Sequence, residues 1–159
     1  MRILICDDDT LFIEQLQKYI KSYLESNHLK SPEIVSFTSG EALLSDKGEK
    51  DIVFLDIEMP GMNGIYVGNE LKQSNKNVIV FVVTSYSEYL DEAMRFHVFR
   101  YLSKPLDKQR FLRNLKDALA YYNSITLKIP VETKQAVYLF PASQIIAIEA
   151  QGRKVIVHT

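Results

Sequence analysis

Residues 51–64 read DIVFLDIEMPGMNG, and the first half of that stretch decides the architecture. Ile52, Val53, Phe54 and Leu55 form an unbroken apolar run. A strand that is apolar at successive positions, without alternation, is buried on both faces, as in a parallel sheet covered by helices. Asp56 ends the run. Open α/β sheets bind ligands beyond the carboxyl ends of their strands, so a carboxylate at that edge is placed for chemistry. An acid there also suits a helix N-cap or a plain loop, and the rest of the chain has to decide between these.

Working outward, the chain repeats one unit. Ile3–Cys6 reads as a buried strand. Asp7, Asp8 and Asp9 follow it, and then Leu11, Phe12, Leu16, Tyr19, Ile20, Tyr23 and Leu24 recur at helical spacing, with Asp9 suited to the N-cap. Glu33–Phe37 is a second strand, and Ser39 caps a short helix through Leu44. Beyond Gly64 come a helix over Ile65–Ser74 and a β-branched strand over Val78–Val83 that ends at Thr84. An amphipathic helix over Ser87–Phe96 and a fifth strand over Phe99–Leu102 follow. A long helix over Asp107–Tyr122 carries Phe111, Leu112, Leu115, Ala118 and Leu119 on one face. Strands alternating with helices in this way predict a doubly wound, five-stranded parallel sheet with right-handed crossovers and helices on both faces.

The pattern changes after Asn123. Ile125–Ile129, Gln135–Phe140, Ile145–Glu149 and Lys154–His158 read as successive strands, with turn signals at Pro130, Pro141 and Gln151-Gly152. No helix long enough for a crossover separates them. The expectation is a first domain over residues 1–123 and an antiparallel, β-rich segment over residues 124–159. That segment is about 35 residues long, below the size that usually folds unaided, so it is expected to be part of a larger domain.

With 159 residues, 47% of them hydrophobic and 25% charged, the chain has the composition of an ordinary globular protein, not of a disordered or collagenous one. The formal net charge is -1, with 15 Lys and Arg against 18 Asp and Glu over residues 1–124 and 4 against 2 beyond them. The tail therefore leans toward anionic partners. The lone Cys6 lies inside an apolar strand, which makes it a small core residue and excludes an internal disulfide. No stretch reaches the roughly 20 apolar residues of a membrane helix, and acids follow the first strand at once, unlike a signal peptide. A cytoplasmic protein without membrane contact is expected.

The predicted topology brings the ends of the first, third, fourth and fifth strands to one edge. Asp7 and Asp8, Asp56, Thr84 and Lys104 should meet there. Carboxylates so close repel one another unless a cation is present, and a hard divalent ion resolves the conflict. Lys104 adds a mobile positive charge and Thr84 a hydroxyl donor, both suited to phosphate oxygens. Carboxylates act as nucleophiles toward phosphorus, so the set suits a phosphoryl group carried on Asp56.

CDDD after the first strand, FLDIEMPGMNG after the third, VTS after the fourth and YLSKP after the fifth resemble the receiver domain of bacterial two-component response regulators, a flavodoxin-like fold. The resemblance covers roughly residues 1–122. It implies that Asp56 accepts phosphate from a sensor histidine kinase, and that Asp7, Asp8, Asp56 and the backbone carbonyl of Glu58 hold magnesium or another divalent cation. It further implies that Thr84 and Lys104 engage the phosphoryl group, that Tyr101 is the aromatic switch, and that the Lys104-Pro105 bond is cis. Such a domain is a phosphoacceptor switch that assists its own phosphorylation and slow dephosphorylation; it is not a turnover enzyme. Phosphorylation would shift its conformation and pair two copies through Tyr89, Met94, Phe96 and Arg100. Residues 125–159, through ASQIIAIEAQGRKVIVHT, resemble the start of a LytTR-type DNA-binding domain. That likeness implies transcription control, with DNA bound by the complete output domain. Arg153 and Lys154 are the residues it would bring to DNA, and a solvated basic turn explains them equally well.

Two rivals use related chemistry. A haloacid-dehalogenase-type phosphatase also attacks phosphorus with a strand-end Asp, but that family usually places a second Asp two residues on, where this chain has Glu58. A flavodoxin-like cofactor binder would cradle phosphate after the first strand, where this chain carries Asp7, Asp8 and Asp9.

Overall fold

The computed structural model describes residues 1–86, 88–133, 135–152 and 154–159, with the side chain of Ser143 outside the description. It divides into two compact units, Met1–Ala118 and Leu119–Thr159.

The first unit is a five-stranded parallel sheet in the order β2-β1-β3-β4-β5. Its strands are β1 (Arg2–Cys6), β2 (Glu33–Phe37), β3 (Ile52–Leu55), β4 (Ile79–Thr84) and β5 (Arg100–Ser103). The helices between them are α1 (Thr10–Ser26), α2 (Gly40–Ser45), α3 (Gly64–Ser74) and α4 (Leu90–Arg95), and α5 (Lys108–Thr126) follows β5. All of β3 and β4 is buried, as their unbroken apolar runs require. Because side chains alternate across a sheet, Leu4, Val53, Leu55, Val80 and Val82 point to one face. There they form a core with Leu43, Val67, Leu71, Ala93 and Phe96 of α2, α3 and the α4 region. Phe54 and Phe81 point to the other face, stacked at 4.7 Å, with the Phe111 ring of α5 at 5.4 Å from Phe54.

Local chemistry sets the helix starts. Asp9 caps α1 by accepting from the amides of Leu11 and Phe12, Ser39 caps α2 and Asn63 caps α3. Gly64 lies so close to the end of β3 that an added Cβ would sit 2.1 Å from the carbonyl oxygen of Asp56. α4 is shorter than its amphipathic pattern predicts. It begins at Leu90, after a turn at Tyr89 (φ -86°, ψ 7°); Ser87, the predicted start, lies outside the described residues.

α5 runs on through Thr126, beyond the predicted Tyr122. Ile125 and Thr126, expected in a strand because they are β-branched, remain helical, and the Thr126 hydroxyl donates back to the Tyr122 carbonyl. In the second unit β6 (Lys128–Glu132) pairs antiparallel with β7 (Val137–Pro141). After a 3₁₀ turn at Ala142–Gln144, β8 (Ala147–Gln151) pairs antiparallel with β9 (Lys154–His158). Gly152, at φ 63°, makes the turn of that hairpin. Among the described residues no helix is long and apolar enough to cross a membrane.

Candidate functional site

The strand order reverses between β1 and β3, and the crevice at such a switch point is where open α/β sheets bind ligands. Register does the positioning. Cys6 pairs with Leu55, so the next residues, Asp7 and Asp56, emerge side by side, and the Asp56 amide donates to the Cys6 carbonyl at 2.9 Å. Thr84 pairs with Ser103 at the other side, and the Lys104 amide donates to the Thr84 carbonyl at 2.9 Å.

The four strand ends therefore converge as expected. Lys104 Nζ lies 2.7 Å from Asp56 Oδ2 and 2.7 Å from Asp7 Oδ2. The second oxygen of each acid is also engaged: the Ile57 amide donates to Asp56 Oδ1 at 2.6 Å and the Asp9 amide to Asp7 Oδ1 at 3.0 Å. Asp7, Asp56 and Thr84 are buried, while Asp8 is exposed at the rim. Burial raises the Asp7 carboxyl above the usual aspartate value, against the pull of Lys104 and the Asp9 amide. For Lys104 burial works against the ammonium, but its bonds to Asp56 and Asp7 prevail and hold its pKa above that of an ordinary lysine. The ammonium also lies 4.4 Å from the centre of the Phe12 ring, a cation–π contact that sequence spacing left among the core residues of α1.

Carboxylate oxygens of Asp7, Asp8 and Asp56 all lie within 4.8 Å of one another. Such an all-oxygen donor set suits a hard divalent cation. Thr84 Oγ1 accepts weakly, at 3.5 Å, from the amide of Tyr86, and the Tyr101 hydroxyl donates to the Tyr86 carbonyl. The Lys104-Pro105 bond is cis, as anticipated. Glu58 is exposed, and its Oε1 accepts from the Tyr89 hydroxyl at 2.9 Å.

Elsewhere the assignments part company. Phe96, expected on an exposed pairing surface, is buried in the core, because Gly68 leaves room for its ring. Met94 and Arg100 remain exposed. Lys154 is exposed at the start of β9, and Arg153 lies outside the described residues.

Residues 3–116 match the response regulator receiver domain. An uncharacterized response regulatory protein of Yersinia pestis is 37% identical over 118 residues, 72% of this chain and 47% of the relative. The sensory transduction protein LytT of Bacillus subtilis is 27% identical over 135 residues, 85% of this chain and 53% of the relative. The chain thus spans about half the length of these curated relatives. Among solved structures, the response regulator TrrA of Thermotoga maritima, in complex with Mg(2+)-BeF, superposes with a TM-score of 0.64. It is 28% identical and covers 74% of this chain and 97% of its own. The chain belongs to the response regulator receiver family of two-component signalling. That membership sets aside the phosphatase and cofactor-binder readings.

Proposed function

We propose that Asp56 is the phosphoacceptor of this receiver and that the phosphoryl group comes from a sensor histidine kinase. The observation that carries the reading is the meeting of Asp7, Asp8 and Asp56 within 4.8 Å, with Lys104 bridging two of them at 2.7 Å. In transfer, an Asp56 carboxylate oxygen forms a bond to phosphorus as the bond from phosphorus to the donor histidine nitrogen breaks, its electron pair returning to the imidazole. Lys104 then turns one of its N–H donors to a phosphoryl oxygen, and the buried hydroxyl of Thr84 donates to another. Asp7, Asp8, Asp56 and the Glu58 backbone carbonyl would hold a magnesium ion, which when bound neutralises charge on the phosphoryl oxygens. Contacts that exist only in the phosphorylated state raise the population of the conformations that make them, with Tyr101 reporting the position of Thr84. The domain acts as a switch that assists its own phosphorylation and slow dephosphorylation.

Residues 1–123 form the receiver and residues 124–159 part of a LytTR-type output domain. The support is the match to LytT over 85% of the chain. The whole protein would then bind DNA through the complete output domain, pair as a phosphorylation-dependent homodimer, and work in the cytoplasm. Lys154 and Arg153 are candidates for phosphate or base contacts.

Intact-mass measurement after treatment with a small-molecule phosphodonor tests the core of this proposal. One phosphoryl addition that needs magnesium and disappears in Asp56→Asn is expected. Addition to Asp56→Asn, or steady turnover of a phosphomonoester, would overturn it.

A further inference from the structure

The groove between the ends of α3 and α4 takes no part in the receiver chemistry. It holds about 490 Å³ and is lined by Asn69, Lys72 and Gln73 of α3, by Lys76 beyond that helix, and by Arg95 and Phe96 at the end of α4. Its place is the opposite edge of the sheet from Asp56: Lys72 Nζ donates at 2.6 Å to the carbonyl of Val78, the residue before β4. No acid is among its lining residues. Over residues 1–124, by contrast, Asp and Glu outnumber Lys and Arg by 18 to 15.

Cations near helix ends ordinarily serve the last carbonyls. Lys72 fits that account, but Lys76 and Arg95 do not. Both are exposed, and among the described residues neither side chain has an ion-pair or hydrogen-bond partner. Asn69 Nδ2 donates to the Ile65 carbonyl at 2.8 Å, which leaves its Oδ1 as an acceptor. Gln73 adds a second, exposed amide. Phe96, 3% exposed, supplies an apolar floor. The volume falls within the roughly 300–1,000 Å³ of small-molecule sites.

We propose that this groove binds a nucleoside phosphate, with Arg95 and Lys76 on the phosphates and the base lying over Phe96, its edge toward Asn69 and Gln73. A guanidinium meets a phosphate through two parallel N–H donors, and an ammonium adds a point charge. Free phosphate would need the cations alone; the apolar floor and the two amides suit a planar base with donors and acceptors on its rim. A duplex backbone offers a row of phosphates to a row of cations, whereas here two cations share one concave pocket. The binding is noncovalent and requires neither Asp56 nor a metal.

Isothermal titration calorimetry of the whole chain with ADP tests this, in EDTA so that no metal at Asp56 holds the phosphates. One ADP per chain is expected. Arg95→Gln and Lys76→Gln should each weaken binding at least about tenfold, the factor one charged hydrogen bond sustains. Lys30→Gln, the same charge change at another exposed lysine, should bind ADP as the wild type does. Pyrophosphate should bind at least about tenfold more weakly than ADP, because it lacks the base. Thermal melting checks that each variant keeps the fold. No ADP binding, an equal loss in Lys30→Gln, or pyrophosphate binding as tightly as ADP would overturn the proposal. So would a duplex oligonucleotide that displaces ADP, since the cations would then serve a nucleic-acid backbone.

Discussion

β3 (IVFL) and β8 (AIEAQ) are strands of similar length, yet every residue of Ile52–Leu55 is buried and every residue of Ala147–Gln151, its Ile148 included, is exposed. Within the first unit an apolar side chain has a layer waiting for it: Phe54 meets Phe81 and Phe111 on one face, and Val53 joins Val67 and Leu71 on the other. Within the second, each hairpin has only two strands, and Ile146, Val155 and Tyr138 remain 81%, 66% and 51% exposed. Apolar sequence alone does not make a core. A third layer or further strands must cover it, which is why isolated two-stranded hairpins are marginal in water.

The contrast can be broken in four ways. The largest expected effect is in amide hydrogen exchange: β3 and β4 amides should exchange only through global opening, at about 5–15 kcal/mol, while those of β6 to β9 exchange near the bottom of the scale. Equal protection in both units would erase the distinction. Next, Phe54→Ala should cost about 3–5 kcal/mol in denaturant unfolding, against less than about 0.5 kcal/mol for Tyr138→Ala. The two glycines then separate crowding from conformation. Gly64→Ala puts a methyl against the Asp56 carbonyl and should cost about 1–3 kcal/mol while slowing phosphoryl uptake. Gly152 has open space but φ 63°, so Gly152→Ala should cost about 1 kcal/mol and Gly152→Asn less, since Asn tolerates that region.

The smallest effect concerns ion pairs. The Arg2 guanidinium, bonded to Asp46 at 2.8 Å, holds the Asp46 carboxyl below the usual aspartate value. A carboxyl depressed on folding contributes stability above its unfolded pKa of about 3.9 and loses it as pH falls through the native value. Asp46→Asn should therefore lower stability by about 1 kcal/mol near neutral pH, with the difference from wild type closing as pH falls through the depressed native value. The Glu149–His158 pair of the second unit, at 3.5 Å and exposed, should show no measurable effect on removal of Glu149.

Most of the first unit was legible because its strands announce themselves by composition. Ile52–Leu55 and Glu33–Phe37 fall where the sequence pattern ends them, and the acids after β1 and β3 meet because the register leaves them no alternative. The failures have a common cause, which is that long-range contacts are invisible to local periodicity. The start of α4 moves to Leu90, after a turn whose Tyr89 hydroxyl is engaged by Glu58, a residue on another loop. Phe96 turns inward because Gly68, on a different helix, opens a space for its ring. In the second unit the β-branched Ile125 and Thr126 signalled a strand, and the helical hydrogen bonding of α5 overrode them. The spacing brought Asp7, Asp8 and Asp56 together without telling that Asp7 would be deep and Asp8 at the rim. It also gave no sign of the Phe12 ring beneath Lys104.

Asp7 and Asp56 each stand one position past the last paired residues of β1 and β3, outside the apolar ladder itself. That spacing makes the chemistry portable. A designer could rewrite those two acids for another oxyanion without moving a residue of the β1–β3 ladder. Inserting a single residue into either strand would do the reverse, turning a carboxylate toward the helices and leaving every functional residue present but the set inert.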